Sequence, residues 1–336
     1  MAEGRIRRAA TALFIAALVL LPVATSLLGI NWVLDLATRM LILALAATAL
    51  NIVLGYGGMV SFGHAAYFGA GAYVVGILAH HEAMYSRLLD WPIALSGTSE
   101  AWIAWPAAML VAGLLALAIG AICLRTSGLY FIMITLAFAQ MIYYLFVSLP
   151  DYGGEDGLSL MARSRLGPLR LKDEPSFYAV CLTLLFLVLA FKRVLVRSRF
   201  GWVLMGVRDN ERRMRALGFP VYRYKLAAFA LSGAIAGLAG ALMANLTEYV
   251  SPAQLSWTLS GELLVIVVLG GMGTLLGPLI GAIALLAVEF ALRETVPHWP
   301  MVLGGLIGLG AGLSPRGLAG CVLRRGIVRG EGARDG

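Results

Sequence analysis

The residues whose types and spacing could do chemistry fall in three places. The stretch "LGYGGMVSFGHAAYFGAGAY", Leu54 to Tyr73, sets Ser61 and His64 among six glycines. A histidine there could line a polar path, or it could make a hydrogen bond between helices. Asp35 with Arg39, Glu289 with Arg293, and Glu262 form a second group inside otherwise apolar runs. Each Asp/Glu–Arg pair is spaced by four, which puts both charges on one helical face as a local ion pair and lowers the cost of charge near lipid. Glu262 has two readings: a carboxylate favoured by a helix-start dipole, or one that meets an incoming ammonium group. The third place is "RDNERRMRALGFP", Arg208 to Pro220. Asp209 and Asn210 suit an N-cap, Glu211 suits the first turn, and Gly218 followed by Pro220 suits a helix end. A short helix is therefore expected over about 210–217, with Val207, Met214 and Leu217 on one face and Arg208, Arg212 and Arg215 on another. It is either an anchor on anionic headgroups or a lever that docks into a partner.

The elements that must position these residues follow from composition. Of 336 residues, 60% are hydrophobic and only 13% charged, with a mean hydropathy of +0.86. Ordinary soluble domains carry about 25% charged residues. Several apolar runs reach the roughly 20 residues that a helix needs to cross the hydrocarbon core. Ten-residue alternating strands are absent, which argues against a β-barrel. The expected fold is an all-α integral membrane protein, a polytopic bundle of about 10 transmembrane helices. Spans are expected near 11–29, 33–54, 61–80, 101–123, 129–149, 176–196, 224–246, 258–273, 276–293 and 299–314. The stretch 258–293 could instead form one re-entrant pair.

Arginine supplies most of a net charge of +8, and it clusters at the N-terminus, over 192–225, and after 315. Even numbers of spans separate the three clusters, so all three fit a cytoplasmic location with both termini inside. The acidic 150–175 loop then falls outside. The chain reads as one transmembrane domain, 1–336, with its core at 33–314. To it belong a cytoplasmic loop at 197–223 and a cytoplasmic tail at 315–336. No soluble segment is long enough for a catalytic or nucleic-acid-binding domain. No lysine sits in a Walker-type phosphate loop. The three cysteines, Cys123, Cys181 and Cys321, lack metal-ligand spacing and read as small buried hydrophobes. No cofactor, metal or enzymatic reaction is expected, and the lipid bilayer is the one partner that composition implies.

Small residues recur at helical spacing and predict close packing. Ala65, Gly69, Ala72 and Gly76 form one stripe; Gly233, Gly237, Gly240 and Ala244 form a second. Gly304, Gly308 and Gly312 form a third, and Gly277 with Gly281 a shorter one. Gly55, Gly57 and Gly58 cluster where the chain should turn, with Ser61 placed to cap the next helix. "LGGMGTLLGPLIGAIAL", Leu269 to Leu285, looks similar and suggests an internal repeat. Paired glycine-broken segments point to a path between repeats. They make Gly57, Gly58, Ser61, His64, Gly271 and Thr274 candidates for lining or gating it.

Four blocks resemble the permease subunits of branched-chain amino acid ABC importers, the LivM type. They are "LNIVLGYGGMVSFGHAAYFGAGAY" (50–73), "TSGLYFIMITLAFAQM" (126–141), the stretch 201–242 and "VVLGGMGTLLGPLIGAI" (267–283). The ending "LSPRGLAG" (313–320) also fits. The resemblance implies an ATP-driven importer subunit of the bacterial inner membrane that works by alternating access. It implies a second permease subunit, two cytoplasmic ATPase subunits and a periplasmic binding protein as partners. It makes Asp209, Asn210, Glu211, Arg212, Arg213, Met214, Arg215, Ala216, Leu217 and Gly218 the element that couples to the ATPases. Glu211 and Gly218 match the family pattern there. Arg212 and Arg213 stand where alanines are expected, which implies an acidic docking groove. "DYGGEDGL" (151–158) resembles the family's outer loop, with Tyr152 in a threonine position. Permeases for urea, short amides or other small solutes are similar in sequence. A secondary transporter is the rival of another class, and it would need ionisable residues at mid-membrane.

Overall fold

The computed structural model describes residues 17–22, 25, 31–84, 87–89, 95–167, 171, 173–295 and 298–313. The chain is a helical membrane protein. Five described helical stretches are long and apolar enough to span: Trp32–Tyr56, Ala101–Cys123, Leu129–Val147, Glu174–Arg197 and Val221–Thr247. Of the span expected at 11–29, residues 17–22 are helical, and most of the remainder lies outside the described residues, as does the tail at 315–336.

The helices are α1 (Asn31–Asn51), α2 (His64–Ala83), α3 (Ala101–Cys123), α4 (Leu129–Val147) and α5 (Glu174–Arg197). After them come α6 (Arg199–Asp209), α7 (Glu211–Ala216), α8 (Val221–Thr247), α9 (Trp257–Gly270), α10 (Gly277–Thr295) and α11 (Trp299–Leu313). Two helices, α9 and α10, fall in the stretch 258–293 that could form a re-entrant pair. At about 1.5 Å per residue α9 rises only ~21 Å, short of the hydrocarbon core. Two short antiparallel pairs lie between helices: Arg87–Leu89 with Leu95–Ser96, and Leu158–Ser159 with Tyr249–Val250.

The centre of the bundle is α1, buried without interruption from Leu41 to its end and on through Ile52 and Val53, with α8 packed beside it. A helix apolar on every side belongs in such a position. Small residues let backbones approach there. A Cβ on Gly240 would strike the Phe68 carbonyl, and one on Gly71 would strike the Gly237 backbone. Gly233 and Gly237 meet Ala116 and Ala112 of α3, so the predicted α8 stripe is a packing seam.

The α2 stripe is closely packed too, in part against non-helical segments. Gly69 faces Leu255 of the 3-10 turn Pro252–Leu255, and a Cβ on Gly76 would stand 3.2 Å from the Val250 side chain. Gly71, outside the stripe, makes the close backbone contact with α8. Gly277 and Gly281 close the α9–α10 hairpin, with Gly281 against the Ile266 carbonyl. Gly304 and Gly308 have open space where a Cβ would stand, so the seam expected on α11 is not made within the chain at these positions.

Candidate functional site

The two glycine-broken segments meet at one end of the bundle. Beyond Asn51, α1 continues as a π-helical turn, Ile52–Tyr56, which widens the backbone spiral. Gly55 in that turn lies so close to Gly273 that a Cβ would collide with its backbone. The buried Asn51 amide fastens the contact. Its Oδ1 accepts from Gly273 N at 2.9 Å and its Nδ2 donates to the Thr274 carbonyl at 2.9 Å. Lys192 of α5, fully buried, donates to the Thr274 and Leu275 carbonyls at 3.2 and 3.4 Å and lies 5.6 Å from the Tyr56 ring centroid. A buried ammonium needs such acceptors, because leaving it unpaired would be costly. Thr274 Oγ1 in turn donates to the Gly271 carbonyl at 2.8 Å.

The loop between α5 and α8 docks on this junction through Arg208. Its Nη1 donates to the Gly55 carbonyl at 2.7 Å. Its stem packs over Gly58, whose φ of +67° suits glycine and where a Cβ would stand 2.6 Å from Arg208 Cγ. Between them lies a groove of about 460 Å³, lined in part by Gly57, Gly58, Thr126, Arg208, Asn210 and Glu211. The structure thus brings together residues that the sequence offered as two separate groups.

The expected short helix is present as α7, and a further helix, α6, precedes it. Ser198 caps α6, its Oγ accepting from Gly201 N, and α6 runs through Asp209. Asp209 is therefore the last residue of α6, paired with Arg208 at 3.2 Å, and is not a cap. Asn210 is extended and caps α7, its Oδ1 accepting from Arg213 N at 2.9 Å. The α7 end matches expectation: Gly218 has φ +83°. There Gly218 N donates to the Arg215 carbonyl at 3.0 Å and Phe219 N to the Met214 carbonyl at 3.2 Å, a Schellman pair. Val203, Val207, Met214 and Val221 form a small apolar cluster that holds the two helices to α8. Leu217 does not join it; at 65% exposed it points away. Arg212, Arg213, Arg215 and Ala216 are exposed as well.

Glu211 fixes α7 electrostatically. It accepts from Lys225 of α8 at 2.5 Å and from Arg215 on its own helix. Burial pushes the Glu211 carboxyl up, but the hydrogen bonds and charges of Lys225 and Arg215 outweigh it and hold it below its ordinary value. A folded value below the unfolded one stabilises fully above the ordinary carboxylate range, near ~4.3, and the contribution disappears as pH falls through the folded value. A spin label attached through Leu217→Cys is expected to stay immobile from about pH 8 to about pH 6 and loosen only in acid. Glu211→Gln should loosen it throughout; immobility in that variant would contradict the assignment.

Ser61 does not take the cap position expected of it, whereas His64 makes the hydrogen bond between helices that was one of its two readings. Helix α2 starts at His64, and Ser61 lies too far ahead to cap it; its Oγ accepts from Gly63 N at 3.2 Å. The amides at the helix start do not face a cavity. Ser260 Oγ of α9 accepts from Ala65 N at 2.8 Å, and Thr135 Oγ1 of α4 accepts from Phe62 N at 3.3 Å. His64 is fully buried, with Nε2 2.8 Å from Ser232 Oγ of α8. Ser232 donates its own proton to the Ala49 carbonyl at 2.6 Å, so Nε2–H of His64 is the donor. This ties α2, α8 and α1 together and makes His64 a helix contact. Nothing local in the chain marks Ser232, Ser260, Asn51 or Lys192 as partners, since each lies far in sequence from the group it binds.

At the other end of the bundle, Glu262 lies beyond the first turn of α9, so a helix-start dipole does not account for it. Arg293 Nε reaches Glu289 at 3.7 Å, as the spacing predicted. No ion pair joins Asp35 to Arg39 among the described residues. Arg39 instead lines a cavity with Glu262 and Glu289.

The family of branched-chain amino acid transport system permease components matches residues 32–310, most of the chain. The chain belongs to this family. It is 29% identical to the high-affinity branched-chain amino acid transport system permease protein LivM of Escherichia coli (strain K12), over 96% of the chain and 79% of that protein. LivM of Salmonella typhimurium (strain LT2) gives the same identity and coverage. The autoinducer 2 import system permease protein LsrC of Enterobacter sp. (strain 638) is 31% identical over 60% of the chain and 61% of that protein. No solved structure matches the chain. Membership makes the chain an integral membrane transport subunit, and the Arg208 junction lies within the matched region.

Proposed function

We propose that the chain is the membrane-spanning permease subunit of an ATP-driven importer of branched-chain amino acids, working by alternating access. The observation that carries the reading is Arg208, which joins the α6–α7 loop to the glycine-broken junction of α1 with the α9–α10 turn. A push on α7 from outside has a rigid route into the centre of the bundle. Hydrolysis occurs in two cytoplasmic ATPase subunits, whose groove receives the exposed arginines of residues 209–218. Both termini, the 197–223 loop and the junction face the cytoplasm of a bacterium, and the chain forms one domain in its inner membrane. A second permease subunit completes the pore, and a periplasmic binding protein docks over 81–100 and 150–158. Gly57, Gly58, Gly271 and Thr274 act as the hinge of the gate. Ser61 and His64 stand behind it as packing.

The likeness to LsrC keeps a second reading open, in which the cargo is another small solute. The class is tested in proteoliposomes holding the whole importer. Leucine uptake should stop with vanadate and persist with an uncoupler. The opposite pattern would mean an ion-coupled transporter.

A further inference from the structure

At the end of the bundle opposite the junction, α1, α9, α10 and α11 line a half-open cavity of about 270 Å³. This is just under the roughly 300 Å³ at which pockets for drug-sized ligands begin, a size that suits something smaller. Along α1, Arg39 stands more than three turns, roughly 18 Å, from Asn51, so the cavity is separate from the groove under α6 and α7.

Its lining divides by chemistry. Val265, Leu285, Leu303 and Ile307 make an apolar wall; Arg39, Glu262 and Glu289 make the polar side. Glu289 is paired with Arg293 at 3.7 Å, and the Arg293 guanidinium also lies 5.0 Å from the Trp299 ring centroid. Two opposite charges remain. Arg39 makes no ion pair or hydrogen bond among the described residues. Glu262 Oε1 is buried with no hydrogen-bond partner. Arg39 and Glu262 are each half-buried, and charges inside a membrane bundle are usually paired with each other or with something they bind. These two share a cavity without touching.

The geometry points to a site for a zwitterionic amino acid with an aliphatic side chain: ammonium at Glu262, carboxylate at Arg39, side chain against Val265, Leu285, Leu303 and Ile307. A lone cation would leave Arg39 facing like charge, and a lone anion would face Glu262. An uncharged solute would leave both charges short of a full partner. A guanidinium offers paired donors that match a carboxylate. The inference rests on the reading of the chain as a permease, and it selects a zwitterion over an uncharged cargo.

The test uses the whole importer in nanodiscs and photo-leucine, a diazirine analogue of leucine, followed by mass spectrometry. Label should appear on α9, α10 or α11. Excess leucine should suppress it at least ten-fold. Isoamylamine and 4-methylpentanoate, each lacking one of leucine's charges, should not suppress it at the same concentration. Arg39→Gln and Glu262→Gln should each lower the label several-fold. If those variants fail to assemble, the competitor series on the unaltered chain still decides. Label confined to other helices, or equal suppression by isoamylamine, overturns the site. ATP-driven leucine uptake with an unlabelled cavity overturns the site and leaves the importer reading intact. A labelled cavity in a complex that takes up leucine without ATP upholds the site and overturns that reading.

Discussion

Replacing Arg208 with alanine is expected to cut uptake ten-fold or more while ATP hydrolysis by the assembled complex continues. The guanidinium donates the hydrogen bond that links α6 to the Gly55 carbonyl, at 2.7 Å. A hydrogen bond involving a charged group contributes about 1.5–3 kcal/mol, so its loss shifts a two-state gate by one to two orders of magnitude. The apolar cluster of Val203, Val207, Met214 and Val221 still holds the loop to α8, so the surface that would meet the proposed ATPases stays in place. The force then has nothing stiff to act on. Arg208→Lys keeps the charge but loses the planar fork, and should fall between the two. Parallel measurement of ATPase rate and uptake in proteoliposomes decides the matter. Both rates falling together would mean that Arg208 holds the docking surface itself.

Gly71→Leu and Gly240→Leu are expected to prevent folding. Each glycine faces backbone: Gly71 the Gly237 peptide, Gly240 the Phe68 carbonyl. Overpacking against flexible side chains typically costs about 1–3 kcal/mol. Here α2 and α8 must separate along their length, and the His64–Ser232 hydrogen bond lies on the same seam. The cost should exceed ~3 kcal/mol, enough to remove the monodisperse peak in detergent size-exclusion chromatography. Gly304→Leu is the contrast, because its Cβ position is open and the subunit should fold normally. A folded Gly71→Leu protein would mean that the two helices can slide apart at little cost.

Much of the candidate site was legible locally. Asn210 caps α7 three residues ahead of its donor, and Gly218 closes the helix through bonds reaching back no more than five residues. Caps and turns are written in short windows of sequence. The start of α7 was legible, but Asp209 and Asn210 are both good caps, and only the preceding helix α6 decides which one serves. Leu217 fitted the helical period of Met214, but a six-residue helix against one neighbour buries a narrow strip, and Leu217 falls outside it. The glycine stripes told that helices would pack closely without telling what each would meet.

Composition and hydropathy alone determined that the chain is a helical membrane bundle. Lipid leaves the backbone no other way to satisfy its hydrogen bonds once alternating strands are absent, whatever the helices then pack against. Cap chemistry placed α7 for the same kind of reason, since the partners are neighbours in sequence. Only the tertiary structure decided that Arg208 reaches Gly55, 153 residues away, and that Ser260 caps a helix 195 residues before it. Only it turned Arg39 from Asp35 toward the cavity of Glu262. Such pairings depend on which helices lie side by side, and that is settled by the fit of many small residues at once, which no single window of sequence contains.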